Sequence, residues 1–273
     1  MDSPSSHNSF YVDKDITAWY QDGSLWDRIA GRNGYSVMEG IYPGCYFETS
    51  RQIKINNEDS ASLIMNNQIL ILGINSKMNS GAFTDGLKVN YNHIVCCPMK
   101  HFGKAKMIET ETISGGYNSC NMNVNILGSP TTTGNIAGTI NEQLYAEFGD
   151  HLKTLNESLS TRINSTSNIN NYPDEVGATA GFKMSNTYVQ SLIMSEIEVF
   201  GASVYSSNGL DVGTGNCQFP AFRLCQERMI LGTGYALRNI ASNTRFAYVS
   251  NNGSISTVSG TQSDYVRPRF VLA

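Results

Sequence analysis

The last ten residues, 264-DYVRPRFVLA-273, place two arginines on either side of a proline within an otherwise apolar run. Alternation along a strand would turn Arg267 and Arg269 to one face and the apolar side chains to the other. Pro268 has no amide hydrogen, so it fits where the sheet needs no donor. We therefore predict a final strand over residues 265–272, which either pairs with a nearby strand or returns to the N-terminal side of the chain. Arg267 and Pro268 are assigned structural roles, with the arginines holding loop carbonyls or carboxylates.

A β-hairpin is predicted just upstream of that strand. Residues 246–258, FAYVSNNGSISTV, contain Asn252 and Gly253 between two alternating runs. Asn-Gly is the strongest short hairpin signal because both residues tolerate positive φ, which gives Gly253 a structural role. Residues 40–55 are predicted to form two strands joined by a turn, and 66–74, 90–98 and 192–200 to form one strand each. Residues 217–224 and 235–240 are predicted as short strands or extended loops.

Two helices are predicted, both in the first half of the chain. Residues 24–30 form the shorter one, which ends at Gly31. The longer one spans 139–160, begins with a capping box of Thr139 and Glu142, and carries apolar residues at helical spacing throughout. Gly149 lies inside it and predicts a kink or a close neighbour, since glycine costs about 1 kcal/mol there relative to alanine.

The order of these elements predicts an α+β fold. We expect an irregular antiparallel sheet, with the helices in the first half of the chain and most short strands in the second. One domain is predicted over residues 22–273. Residues 1–21 precede the first helix and are predicted to be an N-terminal arm for attachment or oligomerisation.

Charge and composition restrict the partners. The net charge of −4, without a basic block, argues against nucleic acid, and no segment approaches the roughly 18 apolar residues of a membrane span. The first residues lack a secretory pattern, so we expect synthesis in a cytoplasm, with the six cysteines as thiols. Their spacing shows no CxxC pair, which favours buried small side chains over metal ligands or nucleophiles.

Residues that could carry chemistry are few. His93 and His101 are the only two of the four histidines close in sequence, and we predict packing roles rather than a metal site. Glu196 and Glu198 would lie on one face of a strand, about 7 Å apart, and two carboxylates so placed could act as a paired acid and base. A solvated strand face explains the two residues as simply, and we favour that interpretation. No phosphate-binding glycine motif occurs. The sequence thus predicts no cofactor, no metal and no enzymatic activity.

The C-terminal segment, residues 235–273, resembles bacteriophage virion proteins with a C-type-lectin-like fold, which is shared with formylglycine-generating enzymes. The matching elements are an aromatic-Leu-Arg stretch at 235–238, the Asn-Gly hairpin and the closing Val-Arg-Pro strand. The resemblance extends over most of the chain from Asp22 onward, and further matching segments are 115–122, 141–154 and 192–201. Two departures are visible. Tyr235 and Ala236 stand where the pattern has a tryptophan, and the calcium-and-sugar motifs of animal lectins are not matched.

The resemblance implies a non-enzymatic structural protein on the virion surface: a capsid, fibre, decoration or receptor-binding subunit. It would be made in the bacterial host, form homo-oligomers, and contact other virion proteins and a host cell-surface glycan or protein. Its loops would display adaptable polar and aromatic side chains, and Arg238 would be structural. The exposed binding face is predicted to comprise Tyr235, Asn239, Ser242, Asn243, Arg245, Tyr248 and Asn251.

Two alternatives remain open from the sequence. The same fold could carry a formylglycine-generating type of cysteine chemistry, which would use Cys217 or Cys225 and require a thiol of depressed pKa. The chain could also be an intracellular interaction module without a virion role.

Overall fold

The structure is a computed structural model that describes residues 4–55, 67–77, 82–83, 89–111, 113, 115–129, 135–162, 183–205, 217–242 and 244–273. The helices are α1 Thr17–Gln21, α2 Ser24–Ala30, α3 Ile140–Phe148, α4 Glu196–Phe200 and α5 Pro220–Leu224. The strands are β1 Tyr46–Glu48, β2 Gln68–Ile74, β3 Ala82–Phe83, β4 Ile94–Pro98, β5 Lys104–Lys106, β6 Leu152–Lys153, β7 Leu155–Arg162, β8 Lys183–Val189, β9 Ser191–Ile193, β10 Tyr235–Ile240, β11 Arg245–Val249, β12 Ile255–Ser259, β13 Ser263–Tyr265 and β14 Pro268–Leu272.

The strands form three sheets, and the fold is α+β, as predicted, with mostly antiparallel pairing. The central sheet has the order β1-β2-β4-β14-β6, and β9 also pairs with β14. A second sheet has the order β12-β11-β10-β13-β5, in which β10 and β13 run parallel. The third contains β3, β7 and β8. Few helices accompany these sheets.

The C-terminal strand β14 lies inside the central sheet. Phe270 faces Cys96 of β4 on one side and Ser191 of β9 on the other, and β6 pairs with the end of the same strand. All five residues of β14 are buried. Pro268 is the first residue of the strand, a position where its missing amide hydrogen costs least. The predicted final strand is therefore present over residues 268–272, with both of its faces covered, whereas Tyr265 belongs to β13 of the second sheet.

Several other local predictions hold. Helix α2 ends at Gly31, which has the left-handed φ of 69° that glycine permits. Strands β2 and β4 lie within the segments predicted for them. Strands β11 and β12 form the predicted hairpin, but only Gly253, with φ of 85°, adopts a positive φ in its turn. Gly253 thus has the conformational role expected from the sequence.

The predicted helix over 139–160 is wrong in its second half. Helix α3 ends at Phe148, Gly149 takes φ of 54° and ψ of −134°, and a 3₁₀ turn leads directly into β6 and β7. The leucines that extended the helical pattern serve strands instead. Leu155 and Leu159 lie two positions before and two positions after Glu157, and all three side chains are buried. A repeat of two residues is the period of a strand.

The strand predicted over 192–200 is also mostly wrong. Strand β9 ends at Ile193, and α4 follows with a complete capping box, in which Ser195 and Glu198 each accept a backbone hydrogen bond from the other residue. The segment 217–224, predicted as a short strand or extended loop, contains helix α5, which starts at Pro220. Helices are therefore not confined to the first half. The segment 40–55 contains one described strand, β1, rather than two.

The described part of the N-terminal segment, residues 4–21, lies against the body of the molecule. The Asn8 side chain donates to the carbonyl of Ile74 at 2.7 Å and accepts from its amide at 2.8 Å. Ile16 is buried in the core, and the guanidinium of Arg228 contacts the carboxylate of Asp13 at 2.7 Å. These contacts fix the segment on β2 and on the loop before β10.

The replacement Gly149→Ala tests the end of α3. Because φ of 54° with ψ of −134° is strained for a residue with a Cβ, we expect a loss of about 1–2 kcal/mol in the free energy of unfolding, measured by urea denaturation. A helix continuing through residue 149 requires the opposite sign, a gain of about 1 kcal/mol. Increased stability of Gly149→Ala would therefore contradict this chain reversal.

Candidate functional site

The predicted binding face lies around the hairpin of β11 and β12. Arg245 and Asn251 are exposed there, whereas Ser242 and Tyr248 are half-buried. Asn243 lies outside the residues that the structure describes. The four described side chains thus border one hairpin and the loop that precedes it, and their role in binding stays a prediction.

Tyr235 and Asn239 do not belong to an exposed face, and that part of the prediction is wrong. Both lie on β10, between β11 and β13, and both are buried. The Tyr235 ring packs beneath the guanidinium of Arg267, 5.4 Å from its centroid. The Asn239 Oδ1 accepts a hydrogen bond of 2.7 Å from the Glu196 amide. An interior strand of a covered sheet cannot present either side chain to a partner.

Local hydrogen bonds hold the hairpin in one shape. The Arg245 guanidinium, on β11, donates to Oγ1 and to the carbonyl oxygen of Thr257 on β12, at 2.9 and 2.7 Å. In the turn, Asn252 Oδ1 accepts from the hydroxyl of Ser250 and from the amide and hydroxyl of Ser254. These contacts order the exposed loop without help from a ligand.

A cluster of five buried charged residues lies where β10, β14, β7 and α4 approach one another. Its members are Lys77, Glu157, Glu198, Arg238 and Arg269, which we call the ion cluster. The Glu198 carboxylate accepts from Lys77 Nζ at 2.8 Å, from Arg238 Nη1 at 2.7 Å and from Arg269 Nε at 3.2 Å. Glu157 pairs with Arg269 Nη2, and Lys77 Nζ is 3.9 Å from its carboxylate.

The cations determine the ionisation of the two carboxylates. Burial alone would raise the pKa of Glu198, but Lys77, Arg238 and Arg269 outweigh it and hold that pKa well below its usual range. Burial and the same three cations act on Glu157, whose pKa is also lowered. Both carboxylates are therefore charged near neutral pH.

The prediction that Glu196 and Glu198 share a solvated strand face is wrong. The two residues begin helix α4, and both are buried. Glu196 accepts from the amides of Val204 and Tyr205 at 3.2 and 3.0 Å, so it orders the chain after α4. Glu198 belongs to the ion cluster. Their backbone positions give them separate structural roles.

The arginines of the C-terminal strand make the contacts expected of forked donors. Arg267 donates to the carbonyls of Pro98, Met99 and Arg228 at 3.2, 3.2 and 2.9 Å. Arg269 donates to the Glu157 and Glu198 carboxylates. Arg238, whose structural role the sequence predicted, also donates to the Ile193 carbonyl at 3.1 Å. All three arginines therefore connect chain segments in the interior.

The histidines near β4 form hydrogen bonds within the fold. Nε2 of His93 accepts from the Lys77 amide at 3.0 Å, and its Nδ1 lies 2.9 Å from the Tyr91 carbonyl. Burial lowers the pKa of His93 to about 4, which keeps the ring neutral. Burial likewise lowers the pKa of His101 to about 4, and its Nδ1 accepts from the Gly103 amide.

None of the six cysteines forms a disulfide, and four of them are buried: Cys45, Cys96, Cys97 and Cys120. Burial raises the pKa of the Cys96 thiol well above its usual value. Cys217 is exposed and Cys225 is half-buried. Among the described residues, no group of three or more His, Cys, Asp and Glu side chains is arranged to hold a metal ion.

Sequence reasoning missed Lys77 and Glu157. Glu157 carried a signal, since it falls between Leu155 and Leu159 on the inward face of β7, but the helical interpretation concealed it. Lys77 lies three residues after the end of β2 and gave no signal of burial, because its partners lie more than 75 residues further along the chain.

Comparisons of the chain with protein-family models, with curated proteins and with solved structures found no significant match. Among the described residues, every helix is too short or too polar to cross a bilayer.

The replacement Glu198→Gln tests the ion cluster. It leaves Lys77, Arg238 and Arg269 near one remaining carboxylate, so we expect the free energy of unfolding to fall by about 3–5 kcal/mol, as measured by urea denaturation. The matched control is Glu109→Gln, which removes a carboxylate from an exposed pair with Lys106 at 3.4 Å. That control is expected to change stability by less than about 1 kcal/mol. Equal effects of the two replacements would contradict a stabilising cluster.

Acid unfolding gives a second test of the same two carboxylates. A carboxyl group whose pKa is lowered on folding contributes stability that is fully present above its pKa in the unfolded chain, near 4.5. That stability is lost as the pH falls through the pKa of the group in the folded protein. We expect the wild-type free energy of unfolding to decline steadily below about pH 4.5 and that of Glu198→Gln to decline less steeply. Parallel profiles would show that Glu198 does not titrate in this way.

Proposed function

We propose that this protein is a non-enzymatic structural component of a bacteriophage virion that displays loops for attachment to the host surface. The observation that carries the proposal is the exposed hairpin of β11 and β12, which stands on the buried strand β10. Binding residues commonly lie on loops that a rigid scaffold positions. Here Arg238 and Asn239 connect that strand to α4 and the ion cluster.

Two further features support this proposal. The resemblance of residues 235–273 to phage proteins with a C-type-lectin-like domain concerns β10 and the hairpin of the second sheet, and β14 of the central sheet. Glu198 connects the two sheets by pairing with Arg238 of β10 and Arg269 of β14. In addition, Glu157 and Glu198 are fully enclosed by cations, which suits a stabilising role better than acid or base catalysis. We propose that the domain has a C-type-lectin-like fold, and the resemblance of residues 235–273 supports this proposal.

The N-terminal residues and the partners complete the proposal. We propose that residues 1–21 contact other virion proteins or sister subunits in a homo-oligomer. Phe10 is 61% exposed within this segment, although its neighbours Asn8 and Asp13 are bound to the body. An exposed aromatic side chain on an otherwise fixed segment suits a contact with another subunit.

Immunogold labelling of intact phage particles tests the location. Antibodies raised against the purified chain are expected to label particles at a regular position, and mass spectrometry of purified particles should detect the chain at a fixed ratio to the major capsid protein. Absence of the chain from purified particles would overturn the proposal, because a virion component must co-purify with the virion.

The hairpin variant Asn251→Ala tests the attachment role. Asn251 is exposed, so we expect the unfolding midpoint to stay within about 2 °C of the wild type. Binding of the purified protein to host cells should fall by about tenfold if the side chain makes one well-placed hydrogen bond. The control Asn125→Ala alters an exposed asparagine beside β5, at the opposite edge of the second sheet, and should bind normally. Equal binding by both variants would argue against the hairpin as the contact surface.

A further inference from the structure

A groove separate from the hairpin lies between α2 and the turn that follows α3. Its volume is about 670 Å³, within the range typical of small-molecule sites. The floor is apolar and aromatic, formed mainly by Trp26, Ile29 and Tyr91. A second cavity of about 360 Å³ shares Trp26 and His151 with it. The two cavities are neighbours that share the stacked rings of Trp26 and His151 in their linings.

The stacked rings are held rigidly before any ligand arrives. The Trp26 indole lies on the His151 imidazole with centroids 3.8 Å apart and planes inclined by 7°. His151 Nδ1 is 2.9 Å from the carbonyl oxygen of Ala273, and Tyr20 contacts Trp26 edge-on at 6.0 Å. The Tyr20 hydroxyl donates to Glu147 at 2.6 Å. A ligand would meet a preorganised aromatic wall, which lowers the entropic cost of binding.

The rim of the groove carries both signs of charge. Asp27 and Asp150 supply carboxylates, and Arg32 and Lys153 supply cations. The Lys153 ammonium donates to the Asp150 carbonyl at 2.7 Å, and the Asp27 carboxylate accepts from the Asn33 amide at 2.9 Å. Because side chains of both signs lie close together, the rim has no field of a single sign that would favour an ion over a neutral ligand. It offers donors and acceptors to a neutral polar ligand.

We propose that this groove binds a neutral oligosaccharide. A sugar ring has an apolar C–H face that suits the Trp26 and Tyr91 rings, and hydroxyl groups at its edge that can donate to Asp27 and Asp150 and accept from Lys153. Two neighbouring cavities of about 670 and 360 Å³ suit two or more linked rings rather than one. The biological source of the sugar, a host cell-surface glycan, rests on the proposed function, whereas the chemistry of the site does not.

The tryptophan content of the chain allows a direct test. Trp19 and Trp26 are its two tryptophans, so Trp19→Phe leaves Trp26 as the single indole reporter. That variant is titrated with di- to tetrasaccharides of glucose, galactose, N-acetylglucosamine and rhamnose while tryptophan emission is recorded. We expect a saturable change for at least one of these sugars, and calorimetry on the unmodified chain should give the same affinity.

The exposed carboxylate on the rim supplies the specificity control. Asp150→Asn is expected to weaken saccharide binding by about tenfold or more, the effect of losing a hydrogen bond to a charged group. Glu109→Gln makes the same chemical change outside the groove and should bind as the wild type does. Equal affinities of these two variants would overturn the assignment of the groove.

Two other outcomes would also overturn the proposal. The first is that none of the sugars, at concentrations up to about 10 mM, changes the fluorescence or gives a calorimetric signal with the unmodified chain. The other is a response to tryptamine without any response to a saccharide, which would identify an apolar amine site.

Immunogold labelling reports separately on the virion role. Labelled particles without sugar binding would refute the groove alone, and sugar binding by a chain absent from particles would refute the virion role alone.

Discussion

The interaction on which the structure depends is the burial of Glu198 among Lys77, Arg238 and Arg269. These four residues come from α4, from the turn after β2, from β10 and from β14, so one carboxylate connects the central sheet, the second sheet and a helix. Charges removed from water are tolerated only when they are paired and hydrogen-bonded. Each of these segments must therefore be in place before the cluster is satisfied, which makes their assembly mutually dependent.

That dependence explains how a polar hairpin can be both exposed and ordered. Strand β10 is buried along its whole length, with Arg238 reaching the ion cluster and Asn239 the start of α4. The hairpin extends from the adjacent strand β11, and its turn is closed by Asn252 and two serines. The rigidity that the proposed attachment surface needs thus comes from charged groups beneath it rather than from the turn alone.

The sequence predicted elements with a strong local signal and failed where a tertiary contact decides. The predictions of a helix end at Gly31, a turn at Gly253 and a strand at the apolar run of β2 hold. Each of them depends on residues that are adjacent in the sequence. The segment 139–160 misled because Leu155 and Leu159 satisfy a helical spacing and a strand alternation alike, and only pairing with β8 selects the strand. Asn239 looked like a binding residue because nothing in its neighbours shows that β10 is enclosed. The groove beside Trp26 joins segments more than 100 residues apart, so local patterns could not reveal it.

The central claim is that Glu198 holds α4, β10 and β14 together as one cooperative unit. Hydrogen exchange measured by mass spectrometry on the wild type and on Glu198→Gln tests it most directly, because exchange resolves the stability of individual segments. The account predicts that the replacement accelerates exchange in all three segments by a similar factor, with β14 affected as strongly as α4. Faster exchange confined to α4, with β10 and β14 protected as in the wild type, would contradict it.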